Sequence, residues 1–214
     1  YLPHLFGHEG IGIVRELADK SSPLAVGDKV IMHWRPNQGR TAQGYRYRWG
    51  NQQVNSGPIS TFSQYSVLSE SRLSAVSHIP RIPARATIGC SISTGWGIAN
   101  REVKLKSHDE ILILGLGPTG LAVYLGLDQG LSLSTHVVEP SGQKRELLEG
   151  KTVECFPDLT ELPISQRFDV VIDCSGRYDD WTNGLTLLKN DGVFIKSGMS
   201  ARGSEFIIAA NDLL

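Results

Sequence analysis

The sequence is poor in cysteine, balanced in charge and without a long apolar run. Its 214 residues include three cysteines, and neither their odd number nor their spacing fits a disulfide framework, so we expect a reducing compartment, the cytoplasm. The formal net charge is −1, which gives no indication of a nucleic-acid partner. No stretch approaches the roughly 20 apolar residues of a membrane span, and no signal peptide is recognisable at the start. We therefore expect neither nucleic-acid nor membrane binding.

The two ends of the sequence lack the features of a complete protein. The first residue is Tyr1 rather than methionine, and residues 209–214 look like the start of a further element. We expect the sequence to be a piece of a longer protein.

Two regions of the sequence differ in pattern, and we place the boundary between residues 86 and 87. Residues 1–86 contain short apolar runs separated by Gly, Pro, Asn and Ser, a pattern typical of β-strands. Residues 87–214 alternate strands with helices, which predicts an α/β fold with a doubly wound parallel sheet. The strand-like runs of the first region are residues 11–14, 29–32 and 62–68, and those of the second are residues 109–114, 135–139, 153–156, 168–174 and 193–197.

Residues 34–58 follow neither pattern. They are rich in Arg, Gln, Asn, Gly and Tyr, and we expect an irregular lobe inserted in the β region. Its aromatic residues either line a pocket or anchor the lobe by burying area, and the second alternative is favoured. These residues are Trp34, Tyr45, Tyr47 and Trp49.

A glycine motif follows the most apolar strand. Residues 111–120 read ILILGLGPTG, a buried strand that runs into G-x-G-x-x-G and then into an apolar helix over residues 121–127. Gly115 permits the tight turn, Gly117 has no side chain to hold the backbone away from a pyrophosphate, and Gly120 lets the helix pack closely. The pyrophosphate is expected at the amino terminus of the helix. The motif predicts a dinucleotide site.

An acidic residue lies nineteen positions after the last of these glycines, at the end of the next strand. The carboxylate of Glu139 is expected to accept hydrogen bonds from the adenosine ribose, and a 2′-phosphate would meet a like charge. This favours NAD over NADP. Lys144 and Arg145 weaken the argument, since one helical turn later they can offset the repulsion.

Four strings together resemble the medium-chain, zinc-dependent alcohol dehydrogenases, and the resemblance covers nearly the whole sequence. The resemblance implies a partial GroES-like β-barrel domain over residues 1–86 and a Rossmann domain over residues 87–214. It also implies hydride transfer between NAD and an alcohol or its carbonyl, and one catalytic zinc. The strings are GHEGIGIV (7–14), VGDKV (26–30), GCSISTGWG (89–97) and GLGPTG (115–120).

Carried over from the family, the metal ligands are His8 and Cys90, with Glu9 beside the metal or as an alternate ligand. Such enzymes hold zinc with two cysteines and one histidine. Without the flanking motifs, His8 would be a core histidine and Cys90 a small buried hydrophobe. Glu9 and Thr94 are the catalytic candidates that the resemblance supplies, Thr94 by its position near the nicotinamide. The expected cofactor-binding residues are Thr94, Gly115, Gly117, Pro118, Thr119, Gly120, Glu139, Lys144 and Gly176.

The sequence departs from the family at two points. The first cysteine ligand of the family lies further upstream than the seven residues that precede His8, so we expect weak zinc binding by this chain. No cysteine occurs in residues 34–58, so no structural zinc is expected.

Two other functions stay open at this point. One is a zinc-free reductase of the quinone or enoyl type on the same scaffold, and the other is a non-catalytic NAD-binding fragment. The substrate is expected to be a small alcohol or carbonyl compound, and the full-length protein a homodimer or homotetramer. Cys155, Cys174 and His136 are expected to be structural.

Overall fold

A computed structural model describes residues 2–42, 45–79, 82–127, 131–203 and 205, except for the side chains of Pro83, Tyr178 and Trp181. Residues 209–214, the expected start of a further element, lie outside this set. The chain divides into two units, Tyr1–Ser93 and Thr94–Leu214. The division falls inside helix α1 (Ser91–Gly97), a few residues after the boundary that the sequence pattern suggests.

Short strands build the first unit, as the punctuated apolar runs predict. They are β1 (His4–Leu5), β2 (Gly10–Ile13), β3 (Lys29–Met32), β4 (Tyr47–Trp49), β5 (Gln52–Ser56) and β6 (Leu73–Ala75). They form two three-stranded sheets, in the orders β1-β5-β4 and β2-β3-β6. β3 pairs antiparallel with both of its neighbours, and Met32 lies opposite Gly10. The described part of this unit also contains the 3-10 helices Glu70–Arg72 and Pro83–Gly89.

The expectation of a wholly irregular lobe over residues 34–58 is wrong for β4 and β5. The two strands form an antiparallel hairpin in which Trp49 pairs with Gln52. Gly50 takes the turn position with a φ of 57°. A two-residue Gly-Asn connection is a hairpin signal, and it outweighed the polar composition of the segment.

The strand expected over residues 62–68 is also wrong, because this segment is irregular. Serine side chains bond the local backbone instead: Ser63 Oγ donates to the carbonyl oxygen of Tyr65 and Ser66 Oγ to that of Ser60, both at 2.8 Å. Such local bonds compete with strand pairing. Phe62 is 76% exposed, so burial does not favour a strand either.

The second unit contains a five-stranded parallel sheet in the order β11-β10-β7-β8-β9. In chain order these are the first five strands of the doubly wound arrangement 3-2-1-4-5-6, so the predicted fold is confirmed. Among the described residues, no helix is long and apolar enough to cross a membrane. The elements are β7 (Glu110–Leu114), α2 (Pro118–Leu127), β8 (Ser134–Val138), α3 (Gly142–Arg145), β9 (Glu154–Phe156), β10 (Phe168–Asp173), α4 (Tyr178–Thr186) and β11 (Leu188–Lys196).

The central strands are buried on both faces, which explains their unbroken apolar sequence. Residues 111–114 are all 0% exposed. Ile111 and Ile113 belong to one core cluster, and Leu112 and Leu114 belong to a second. The alternation of side chains along β7 therefore supplies both cores of the unit.

β7 and β10 are neighbours at the point where the strand order reverses. Their connections lead to opposite edges, β7 to β8 and β10 to β11. In open parallel sheets, ligands bind outside the carboxyl ends of the strands at such a point. The loops after β7 and β10 are therefore where a ligand is expected.

Candidate functional site

Three side chains of types that bind metals meet in the first unit. His8 and Glu9 precede β2, and Cys90 lies between the 3-10 helix Pro83–Gly89 and α1. Each offers one donor atom, an imidazole nitrogen, a carboxylate oxygen or a thiol sulfur, and the three atoms lie within 4.8 Å of one another. The structure thus brings together residues that are far apart in the sequence.

The donor set fits a zinc ion. Catalytic zinc sites use three protein ligands of the N, S and O types and leave a fourth position for water or substrate. Bond lengths of about 2.0–2.3 Å place tetrahedral donors about 3.5 Å apart. The donor atoms lie within 4.8 Å of one another, so binding of an ion would draw them closer together. His8 is exposed, and Glu9 and Cys90 are half-buried, so an ion has access from solvent.

The carboxylate of Glu9 is held by the residue that follows Cys90. Glu9 Oε1 accepts the backbone N–H of Ser91 at 2.8 Å and its hydroxyl at 2.6 Å. Within the part of the chain that the structure describes, Oε2 makes no hydrogen bond. One carboxylate oxygen is therefore committed to Ser91, and the other is available to a cation.

An aromatic ring borders the imidazole of His8. The Trp34 ring stands edge-on to it with centroids 6.0 Å apart, and the Arg72 guanidinium carbon lies 5.7 Å from the Trp34 ring centroid. Trp34 is 47% exposed. The indole restricts His8 on one side, and a cation over its face stabilises the indole. No motif in the sequence indicates this contact.

Two of the three glycines in the loop after β7 are required by the fold, and the third lies beside open space. Gly115 has a φ of 89°, and a Cβ on Gly120 would lie 2.0 Å from the Gly115 carbonyl oxygen, so both positions require glycine for the fold. A Cβ on Gly117 would meet no atom within 4 Å. The space beside Gly117 is therefore open, although the fold itself does not demand a glycine there.

The loop leads directly into α2, a ten-residue helix whose first residue is Pro118. Proline suits this position, because an N–H at the first helical residue would have no partner within the helix. Thr119 follows and is half-buried. The free amides at such a helix start favour an anion.

Glu139 is more deeply engaged with the protein than the sequence suggests. It is 5% exposed, and its carboxylate accepts the backbone N–H groups of Leu116 at 2.8 Å and Ser141 at 2.9 Å. Burial raises the pKa of this carboxyl, but the two amides and Lys144 together outweigh it and hold the pKa below the usual value. Each carboxylate oxygen has two lone pairs, so the Glu139 carboxylate can still accept a hydrogen bond from a ribose hydroxyl.

Two basic side chains accompany Glu139. Lys144 Nζ lies 3.4 Å from Glu139 Oε2 and is half-exposed, and Arg145 donates to the backbone carbonyls of Glu139 at 2.6 Å and Pro140 at 2.9 Å. Lys144 thus partly neutralises the charge that would repel a 2′-phosphate. The Arg145 guanidinium instead donates to backbone carbonyl oxygens.

The loop after β10 is shaped by a buried carboxylate. Asp173 is 0% exposed and accepts the Ser175 amide at 2.9 Å and hydroxyl at 2.8 Å. Lys196 Nζ lies 3.4 Å away. Gly176 follows with a φ of 69°, and a Cβ there would lie 2.4 Å from the Met199 carbonyl oxygen. Asp173 therefore acts as a turn-forming residue.

Thr94 lies in α1 with an exposed side chain, and its expected role near the nicotinamide stays a prediction.

Burial, helped by Asp173, raises the pKa of the Cys174 thiol to about 12, and burial also raises the pKa of Cys155. Both thiols are therefore protonated at neutral pH, which suits packing rather than metal binding.

His136 is buried in β8. Its ring stacks on Phe156 with centroids 6.0 Å apart and stands edge-on to Phe168 at 5.2 Å. The aromatic environment is that of a packed core residue.

The fold and the grouped donors agree with the resemblance of the sequence to the medium-chain dehydrogenases. Residues 1–80 match the family model described as the alcohol dehydrogenase GroES-like domain. This match confirms the resemblance to the alcohol dehydrogenases, and together with the five-stranded parallel sheet it confirms the predicted fold class.

Among curated proteins, the chain is 26% identical to S-(hydroxymethyl)glutathione dehydrogenase of Candida maltosa and 27% identical to alcohol dehydrogenase class-3 of Dictyostelium discoideum. Each alignment covers 95% of this chain and 63% or 64% of the relative, so the chain spans less than two thirds of their length. Benzyl alcohol dehydrogenase from Acinetobacter calcoaceticus shares the fold, with a TM-score of 0.80 at 20% identity, over 100% of this chain and 67% of that one.

The open space beside Gly117 generates a prediction. Gly117→Val is expected to leave the fold intact but to weaken NADH binding severely, because its side chain fills the space that a pyrophosphate needs. Circular dichroism and NADH titration measure the two effects. Gly120→Val is the control, since a side chain there meets the Gly115 carbonyl and the fold itself should be lost. Unchanged NADH affinity in a folded Gly117→Val protein would remove the loop from the cofactor site.

Proposed function

We propose that this chain belongs to an oxidoreductase that transfers a hydride between NAD and an alcohol or its carbonyl, with a single catalytic zinc. The observation that carries the proposal is the grouping of His8, Glu9 and Cys90 within 4.8 Å. A zinc-free reductase has no need for three such donors at one point. The zinc-dependent reading is therefore preferred over the quinone or enoyl type.

In this proposal, the first unit holds the metal. His8 and Cys90 supply nitrogen and sulfur, and Glu9 supplies its uncommitted oxygen. Bound zinc would act as a Lewis acid toward the oxygen of the substrate. Trp34, half-exposed beside His8, limits the room for a substrate on that side.

The second unit binds the dinucleotide in this proposal. Gly117 leaves room for the pyrophosphate, and the start of α2 offers amides to it. Glu139 accepts a ribose hydroxyl while it holds the Leu116 amide of the loop. The nicotinamide would supply the hydride acceptor or donor, and Thr94 is the residue that we assign beside it.

The substrate, the cellular compartment and the oligomeric state of the whole protein are also part of the proposal. Curated relatives act, by their names, on alcohols or on S-(hydroxymethyl)glutathione. We assign to this chain a small alcohol or aldehyde as substrate. A cytoplasmic homodimer or homotetramer is the assembly that the family resemblance supports.

The experiment that tests the function is a turnover screen on the full-length protein. We expect primary or secondary alcohols to reduce NAD, and His8→Ala and Cys90→Ser to abolish this activity together with stoichiometric zinc, because each removes one of the ligands. His33→Ala is the matched control, since the ring nitrogens of His33 already lie 2.6 Å from the Arg35 carbonyl oxygen and 3.0 Å from Ser74 Oγ. Activity and zinc content that survive both ligand substitutions would contradict the proposed metal site, whereas turnover by an unaltered protein that holds no zinc would favour the zinc-free reductase.

The charge at Glu139 generates a prediction about cofactor choice. NADH should bind more tightly than NADPH, and Glu139→Gln should narrow the difference, because it removes the like charge but keeps an acceptor for Leu116. Lys144→Ala should widen the difference, since it removes the cation 3.4 Å from the carboxylate. Dissociation constants for both reduced cofactors measure this, with the exposed Lys20→Ala of the first unit as control. Equal or tighter binding of NADPH by the unaltered protein would overturn the assignment.

A further inference from the structure

The hydrogen bonds of Ser91 join the two halves of the candidate metal site. Glu9 is the neighbour of His8 in the sequence, and Ser91 is the neighbour of Cys90. The two bonds, 2.8 Å from the Ser91 amide and 2.6 Å from its hydroxyl, connect segments 82 residues apart. Both segments thus carry a metal donor immediately before the residue that makes the link.

We propose that Ser91 is a positioning residue for the metal site, acting through Glu9. This inference rests on the zinc site of the proposed function. The Ser91 hydroxyl orients the Glu9 carboxylate so that Oε2 is presented to the ion. Ser91 itself does not touch the metal.

The backbone around the link supports a preorganised site. Gly10, which follows Glu9, pairs with Met32 in the β2–β3 ladder. Gly89, which precedes Cys90, packs so closely on Met32 that a Cβ there would lie 1.9 Å from its carbonyl oxygen. Both ligand segments therefore approach the same residue of β3. The backbone brings the segments together, and the contact between Glu9 and Ser91 is the side-chain link nearest to the donors.

The hydroxyl contributes something that the amide does not. The amide of Ser91 donates to Glu9 Oε1 whatever the side chain at position 91 is, whereas the hydroxyl bond exists only with Ser or Thr. A bond from a hydroxyl to an ionised carboxylate is among the stronger hydrogen bonds in proteins. With both donors on Oε1, rotation of the carboxylate is restricted and Oε2 is favoured as a single-oxygen ligand. Loss of the hydroxyl leaves one donor and a freer carboxylate.

Metal affinity is the property that distinguishes positioning from general support of α1. Ser93 lies in the same helix and donates its hydroxyl to the Cys90 carbonyl oxygen at 3.1 Å, without contact to Glu9. A role in supporting the helix would make Ser91→Ala and Ser93→Ala alike. A role through Glu9 makes them different.

The test measures zinc affinity of the chain by competition with a chromophoric chelator, and the visible spectrum after cobalt substitution. Ser91→Ala should lower zinc affinity about tenfold or more, the usual cost of removing a partner of a metal ligand, and should alter the cobalt spectrum. Ser91→Thr should restore both, because it keeps the hydroxyl. Ser93→Ala should match the unaltered chain. Circular dichroism checks that each variant is folded.

A double variant isolates the path of the effect. Glu9→Gln keeps an oxygen acceptor for Ser91 but is a poor ligand, so it should lower zinc affinity by itself. If Ser91 acts through Glu9, adding Ser91→Ala to Glu9→Gln should cause little further loss. A full additional loss would overturn the inference.

Three other outcomes also overturn the inference, and they differ in whether the proposed zinc site survives. Zinc affinity in Ser91→Ala that stays within about twofold of the unaltered chain, or an equal fall in Ser93→Ala, would reject the positioning role and leave the proposed zinc site intact. No zinc binding by the unaltered chain would reject the zinc site and the inference together.

Discussion

The candidate metal site depends on the contact between the start of β2 and the start of α1. Two hydrogen bonds from Ser91 to Glu9 join these segments across 82 residues of sequence. His8 and Cys90 are adjacent to the bonded residues, so the donor atoms lie close together where the two segments meet. In the proposed zinc site, the folded chain would group the donor atoms before the metal binds, and this preorganisation would favour affinity.

The dinucleotide unit uses its acidic residue in two ways. Glu139 accepts the Leu116 amide and thereby ties the glycine loop to the end of β8, and it is also the residue assigned to the ribose. Lys144 lies close enough to offset part of its charge. In the proposed function, the choice between NAD and NADP would therefore depend on both side chains, and the carboxylate alone would not determine it.

Much of the fold could be predicted from local pattern, because buried parallel strands need continuous apolar residues. The prediction for residues 29–32 matches β3, and that for 109–114 matches β7 to within one residue. The strand expected over residues 62–68 is absent, because serine side chains bond the local backbone and the aromatic rings of the segment are exposed. A pattern of apolar residues in the sequence reveals neither feature. Partners distant in sequence, such as Ser91 for Glu9 and Trp34 for His8, carry no local signal, because their contact exists only in the folded unit.

The central claim is that one imidazole, one thiolate and one carboxylate of this chain bind zinc together. X-ray absorption at the zinc edge of the zinc-loaded 214-residue chain counts the sulfur neighbours of the metal directly. We expect one sulfur, from Cys90, and nitrogen or oxygen in the remaining positions, with the sulfur absent in Cys90→Ser. The thiols of Cys155 and Cys174 should not contribute, since among the described residues neither belongs to a group of metal-ligating side chains. A spectrum with no sulfur, or with two or more, would contradict the account.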